Sequence, residues 1–129
     1  MDVREFLSRD RFAELLGIEL LEAADGKAKA RLEITEKHLN ALDTAQGGAI
    51  FSLADLVFAA ASNSHGNVAV GINANISFLK SAGKGFLYAE AFETSRNSKI
   101  ASYNINITNE MGDLIASFQG MVYQKKQTF

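Results

Sequence analysis

Asp55 is the residue whose chemistry needs explaining first. It is the single charge in the stretch Ala45 to Ala61, which otherwise reads as a helix apolar on every side. A carboxylate in such a helix is costly to bury unless it is paired, hydrogen-bonded or protonated. Two readings follow from the residues alone: a catalytic carboxylate, or a structural one bonded to backbone amides of a neighbouring subunit. The pair Gly47-Gly48 at the helix start reads by itself as a close-packing pair. The other reactive groups are sparse. His38 and His65 stand far apart in loop-like segments, and there is no cysteine, so thiol catalysis, disulfides and thiolate metal sites are excluded and no metal centre is expected. Gly83-Lys84-Gly85 lacks the fuller spacing of a phosphate loop.

The elements that must position Asp55 follow from composition and periodicity. The 129 residues, 47% of them hydrophobic, suit one domain with a real core. A net charge of -2 and the absence of a basic run argue against a nucleic-acid partner. The central apolar run is too short to span a bilayer and holds a carboxylate, so no membrane partner is expected. The N-terminus lacks the positive-then-apolar order of a signal peptide, which makes a cytoplasmic location the simplest expectation.

In chain order, residues 2–16 carry apolar side chains at roughly helical spacing and read as one or two peripheral helices closed by Gly17. Ile18 to Ala24 reads as a strand, and Asp25-Gly26 as a hairpin turn. The next strand alternates Ala28, Ala30, Leu32 and Ile34 against Lys27, Lys29, Arg31 and Glu33, giving one wet face. A loop from Thr35 to Thr44 carries His38 and Asn40, with Asp43 or Thr44 expected to cap the central helix over 45–65. Four strand-like segments follow. Val68, Val70, Ile72, Ala74, Ile76 and Phe78 are expected on one face of the first, and Ala101, Tyr103, Ile105 and Ile107 on one face of the third. Lys125-Lys126-Gln127 reads as a loose tail. A helix apolar all round needs an antiparallel sheet with one greasy face to wrap it, so the expected fold is α+β: a curved antiparallel sheet rolled around one long helix.

This arrangement is similar to the hotdog fold. The string His38-Leu39-Asn40, Gln46-Gly47-Gly48, Leu53-Ala54-Asp55 resembles the phenylacetate-degradation (PaaI-type) acyl-CoA thioesterases. Asn75-Ile76-Ser77-Phe78-Leu79, Ala82 and the turn at Arg96 fit the same family, and the likeness runs from about Ala28 to Val122. The chain departs from the family in placing Gln46 where histidine is commonest and Ser81 where proline is usual. A glutamine can hold a polar group in place but cannot exchange a proton near neutral pH.

The resemblance implies an acyl-CoA thioesterase with no cofactor, coenzyme A being part of the substrate, and favours aromatic or medium-length acyl groups. Asp55 would be the general base or the nucleophile. The Gly47 backbone N–H, at the positive end of the helix dipole, would stabilise the oxyanion, with Gly48 beside the substrate. Asn40 and Gln46 would orient water or thioester. Some relatives carry a hydroxyl on the strand after the helix, where Ser77 or Asn73 stands here. Lys80, Lys84, Arg96 and Lys99 are expected to cluster in two neighbouring turns and take the coenzyme A phosphates, with Asn97 in a turn that matches a coenzyme-contacting region.

Geometry adds a constraint. Gly47 and Asp55 are eight residues apart, about 12 Å along a helix, and the backward lean of the Asp55 side chain recovers roughly 2–3 Å. Both groups must lie about 3 Å from one carbonyl. One chain cannot do this, so the site is expected to combine Gly47 of one subunit with Asp55 of another in a homodimer, or a dimer of dimers. Other functions weighed are a non-hydrolytic acyl-CoA sensor, a hotdog hydratase or dehydratase, disfavoured by the lack of a helix histidine, and a DNA-binding regulator, disfavoured because no helix-turn-helix segment is present.

Overall fold

A computed structural model describes residues 1–129. Helices α1 (Val3–Leu7) and α2 (Arg11–Leu16) are followed by β1 (Glu19–Ala24), β2 (Lys27–Ile34), a short 3-10 turn over Glu36–His38, and α3 (Gly47–Asn63). Then come β3 (Asn67–Phe78), β4 (Gly85–Arg96), β5 (Ile100–Asn109) and β6 (Leu114–Thr128). All six strands form one antiparallel sheet in the order β1-β2-β4-β5-β6-β3, with α3 on its concave face. This is the hotdog arrangement. No helix is long and apolar enough to cross a membrane.

The local sequence explains most elements. Asp25 and Gly26 both take positive φ, 52° and 78°, as a two-residue hairpin turn of this hand requires. Ala28, Ala30, Leu32 and Ile34 are buried as their alternation predicts, and so are Ala101, Tyr103, Ile105 and Ile107. These faces close on Leu53, Ala54, Val57, Phe58, Ala60 and Ala61 of α3. Phe58 anchors the interior, with its ring 5.5 Å from Phe118 and 6.0 Å from Tyr103. Asn63 fixes the far end of the helix by donating to Ala59 O at 2.9 Å and accepting from Ala69 N at 3.0 Å.

Four expectations are corrected. The cap of α3 is Gln46, not Asp43 or Thr44, and the helix is correspondingly shorter than 45–65. Ala45 is held outside it, donating to Ala82 O at 2.8 Å, and Asp43 takes the left-handed turn conformation with φ 59°. The apolar residues of β3 do not share a face. A bulge at Ile72 interrupts the register between Gly71↔Val122 and Asn73↔Met121. Beyond it Ala74, Ile76 and Phe78 turn inward opposite Gly120, Phe118 and Ala116, while Val70 faces outward opposite Tyr123. The segment Lys125-Lys126-Gln127 is not loose but part of β6, because β3 offers a partner down to Asn67↔Thr128. Finally, α3 is not enclosed on all sides. A stripe through Gly48, Ser52, Asp55 and Ala59 stays partly or fully open, and its small side chains made it look apolar throughout.

The packing around Phe58 leaves no spare volume. A Cβ at Gly120 would lie 2.6 Å from two Phe58 ring atoms and 3.0 Å from Phe118. Neither buried ring can move away cheaply, so Gly120→Ala is expected to cost about 1–3 kcal/mol in denaturant unfolding. Unchanged stability would contradict this packing.

Candidate active site

The site begins in the loop between β2 and α3. The His38 ring, which is buried, accepts from Thr35 N at Nδ1 (2.9 Å) and meets Leu16 O at Nε2 (2.8 Å), so Nε2 carries the proton. The His38 carbonyl accepts from Gln46 N at 2.8 Å, and Ala45 is bonded to Ala82 on the other side. The entry to α3 is therefore clamped by backbone bonds from both flanks. Asn40 organises the same loop: its Oδ1 accepts from Leu42 N and Thr44 N, and its Nδ2 donates to Thr44 Oγ1 at 3.0 Å. That is a loop-shaping role, with one amide proton left over.

Gln46 caps its own helix. Its Oε1 accepts from Gly48 N, which leaves the Nε2 donor free. The N–H of Gly47, first of the helix, has no acceptor within the chain. The Phe78 ring packs against this residue, 3.2 Å from where a Cβ would stand. An unsatisfied amide at the positive end of a 17-residue helix is an anion-seeking group.

Asp55 lies on the same open stripe, two turns on. Its carboxyl is pushed above the ordinary aspartate range, first by desolvation among its apolar neighbours and then by the Asp10 carboxylate nearby. Asp10 is itself fixed as the cap of α2, accepting from Ala13 N at 3.0 Å. No cation pairs with Asp55 within the chain.

The four cations do not cluster in one chain. Lys80 and Lys84 precede β4, whereas Arg96 ends it and Lys99 follows, and the 12-residue strand separates the pairs by about 36 Å. Lys80 pairs with Asp113 at 2.7 Å and Lys84 with Glu36, both at the Gly47 end. These contacts hold the Asp113 and Glu36 carboxyls below the usual range. Arg96 donates to Gln124 Oε1 at 2.9 Å beyond the other end of α3, and Asn97 shapes its turn by accepting from Lys99 N and Ile100 N. Asn73, just past the bulge, faces outward with Asn75, Ser102 and Gln119 on the convex side of the sheet, away from its own Gly47. Ser77 faces the same way, opposite Ser117.

The sequence names Phe51 as a residue that could line an acyl pocket, but it does not single out Phe12, Leu16 and Leu39 beside it. A cleft of about 470 Å³ opens beside Gln46 and Gly48 and is lined by Phe12, Leu16, Leu39, Phe51 and Ser52. The spacing of Phe12 and Leu16, one helical turn apart, was the available signal.

Residues 43–116 match the family model described as the thioesterase superfamily. The chain belongs to the thioesterase superfamily. It is 41% identical to a putative esterase of Archaeoglobus fulgidus, over 98% of this chain and 84% of that protein. It is 35% identical to the acyl-coenzyme A thioesterase PaaI of Escherichia coli, over 86% of this chain and 80% of that one. The solved structure of the E. coli PaaI protein superposes with a TM-score of 0.95, covering 98% of this chain and 93% of that chain at 31% identity. Within the superfamily this thioesterase is of the PaaI type, and its hotdog architecture is that of its relatives.

The electrostatics of Asp55 give a direct test. Removing the Asp10 charge takes away one of the two causes that raise the carboxyl. In Asp10→Asn, the Asp55 titration followed by NMR is expected to move to lower pH than in the wild type. An unmoved midpoint would separate Asp10 from the site.

Proposed function

We propose that this thioesterase hydrolyses acyl-CoA thioesters, with aromatic or medium-length acyl groups, at sites shared between two copies of the chain. The observation that carries the reading is the unsatisfied Gly47 amide at the start of α3, two turns from Asp55, an exposed carboxylate with no cation partner in the chain. The thioester carbonyl oxygen would sit on the Gly47 N–H and, beside it, on the free Nε2–H of Gln46. Asp55 of the partner subunit would drive attack on the carbonyl carbon, either by taking a proton from water or by attacking itself. The C–S bond then breaks and coenzyme A leaves as the thiol, taking the proton that water gives up, while the acyl group leaves as the free acid, directly or after water hydrolyses the Asp55 anhydride.

Dimer geometry supports the sharing. A two-fold axis that brings Gly47 to Asp55 of the partner subunit must pass near Phe51, midway between them, with the two α3 helices antiparallel. The stripe of Gly48, Ser52 and Ala59 lets helix backbones approach closely there. The sheet offers a matching edge. At the β1 edge, Arg4 donates to the carbonyls of Leu20 and Leu21, whereas β3 presents a 12-residue edge without such cover. The same two-fold brings the Arg96–Lys99 turn of the partner subunit to the end where Lys80 and Lys84 stand. Cations that are distant in one chain would thus face one coenzyme A. Both lysine ion pairs are exposed and weak enough for phosphate to displace.

Two substitutions test the roles. Asp55→Asn is expected to lower thiol release about 10²–10⁴-fold while the dimer stays intact. Gly47→Pro deletes the oxyanion donor at the one helical position that welcomes proline, so folding should persist while kcat falls about 10²–10³-fold. Full turnover in either variant would contradict the assignment of that residue. Tight acyl-CoA binding without turnover in the wild type would point instead to a sensor.

A further inference from the structure

Helix α2 lies outside residues 43–116, the part of the chain that matches the superfamily model, yet it forms one wall of the cleft beside Gln46 and Gly48. Its Phe12 is 59% exposed, a large ring that the core does not account for. Across from Phe12 and Leu16, the cleft is lined by Leu39 of the loop and Phe51 of α3, with Lys37 and Gln46 supplying polar groups. We propose that Phe12 and Leu16 are specificity-determining residues: together with Leu39 and Phe51 they receive the apolar acyl group of a thioester whose carbonyl rests at the Gly47 amide. This rests on the acyl-CoA hydrolase reading above.

Three observations carry the assignment. The cleft reaches one candidate oxyanion donor, Gln46, and borders the start of α3 at Gly48, next to Gly47. An acyl chain leaving a carbonyl bound there enters the cleft directly. Its volume, about 470 Å³, falls in the range of small-molecule pockets, and its apolar walls suit an aryl or medium-chain group, whereas an acetyl group would leave it unfilled. The wall is also rigidly placed relative to the donors. Gly17, with φ 87°, ends α2 and donates to Ala13 O. His38 Nε2–H donates to Leu16 O at 2.8 Å, while the carbonyl of the same histidine holds Gln46 N at 2.8 Å. One buried residue thus ties the acyl wall to the cap that bears the donor. Ala13, the buried residue of α2, seats the helix and leaves Phe12 turned outward.

Because Phe12 is largely exposed, replacing it changes the cleft and not the fold. A methylene more or less in a hydrophobic pocket changes kcat/KM by roughly 10–200-fold. Wild type, Phe12→Ala and Phe12→Trp would be compared for thiol release from acetyl-, hexanoyl-, phenylacetyl- and dodecanoyl-CoA. Phe12→Ala is expected to raise the kcat/KM ratio of dodecanoyl- to hexanoyl-CoA at least about 10-fold, and Phe12→Trp to lower it. A wild type that turns over while the ratio stays constant in both variants would overturn the wall and leave thioester hydrolysis standing. A wild type that releases thiol from none of the four would overturn both.

Discussion

One helix start governs the molecule. The first amide of α3 is held rigidly, between the His38–Gln46 bond and the Ala45–Ala82 bond, and finds no acceptor in its own chain. Asp55 faces the complementary difficulty, a carboxylate on an apolar helix with no cation beside it and its pKa raised by partial desolvation and by Asp10. The helical rise of about 1.5 Å per residue keeps the two about 12 Å apart, so they cannot serve each other or one substrate atom within a chain. In the proposed dimer, a second copy related by a two-fold near Phe51 would resolve both at once. The sheet, in this view, is the scaffold that covers three sides of α3 and leaves the fourth for that partner.

The core that holds α3 in place is built to the same end. Glycines at 71 and 120 admit the Phe58 ring, which meets Phe118 and Tyr103 and locks the helix rotation. Rotation decides which residues form the open stripe, so a ring buried in the interior sets the direction of Asp55. At the far end, Glu93 gathers Tyr103 (2.9 Å) and His65 (3.0 Å), closing the sheet over the helix C-terminus with a polar seal. Burial, followed by this hydrogen bond, pushes the Tyr103 hydroxyl well above its usual range and keeps it a donor. An ionised Asp55, partly desolvated and near Asp10, is unfavourable for the folded chain at neutral pH. The sign follows from linkage: a carboxyl with a raised folded-state pKa favours folding at low pH, and that contribution fades as pH rises through the raised value.

The sequence made the period-2 strands, the Asp25-Gly26 turn and the apolar central helix legible, because each is a local pattern. Its failures have physical causes. Strict alternation along β3 conceals the bulge at Ile72, since an extra residue flips the face without altering composition. The cap fell on Gln46 because its neighbours Asp43 and Thr44 were already committed to the Asn40 turn. Small residues on the open stripe hid its exposure behind an apolar reading. Closeness in sequence suggested one cluster for Lys80, Lys84, Arg96 and Lys99, yet an extended strand between them carries the pairs to opposite ends of α3.

The central claim is that each site takes Gly47 from one subunit and Asp55 from the other. It is tested most directly by co-assembling equal amounts of Asp55→Asn and Gly47→Pro chains, each inactive alone, and measuring thiol release. Random pairing makes half of the dimers mixed, and each mixed dimer contains one site with both groups intact. The account predicts recovery of about a quarter of wild-type activity. A mixture that stays as inactive as its parents would place both groups in the same chain and contradict it.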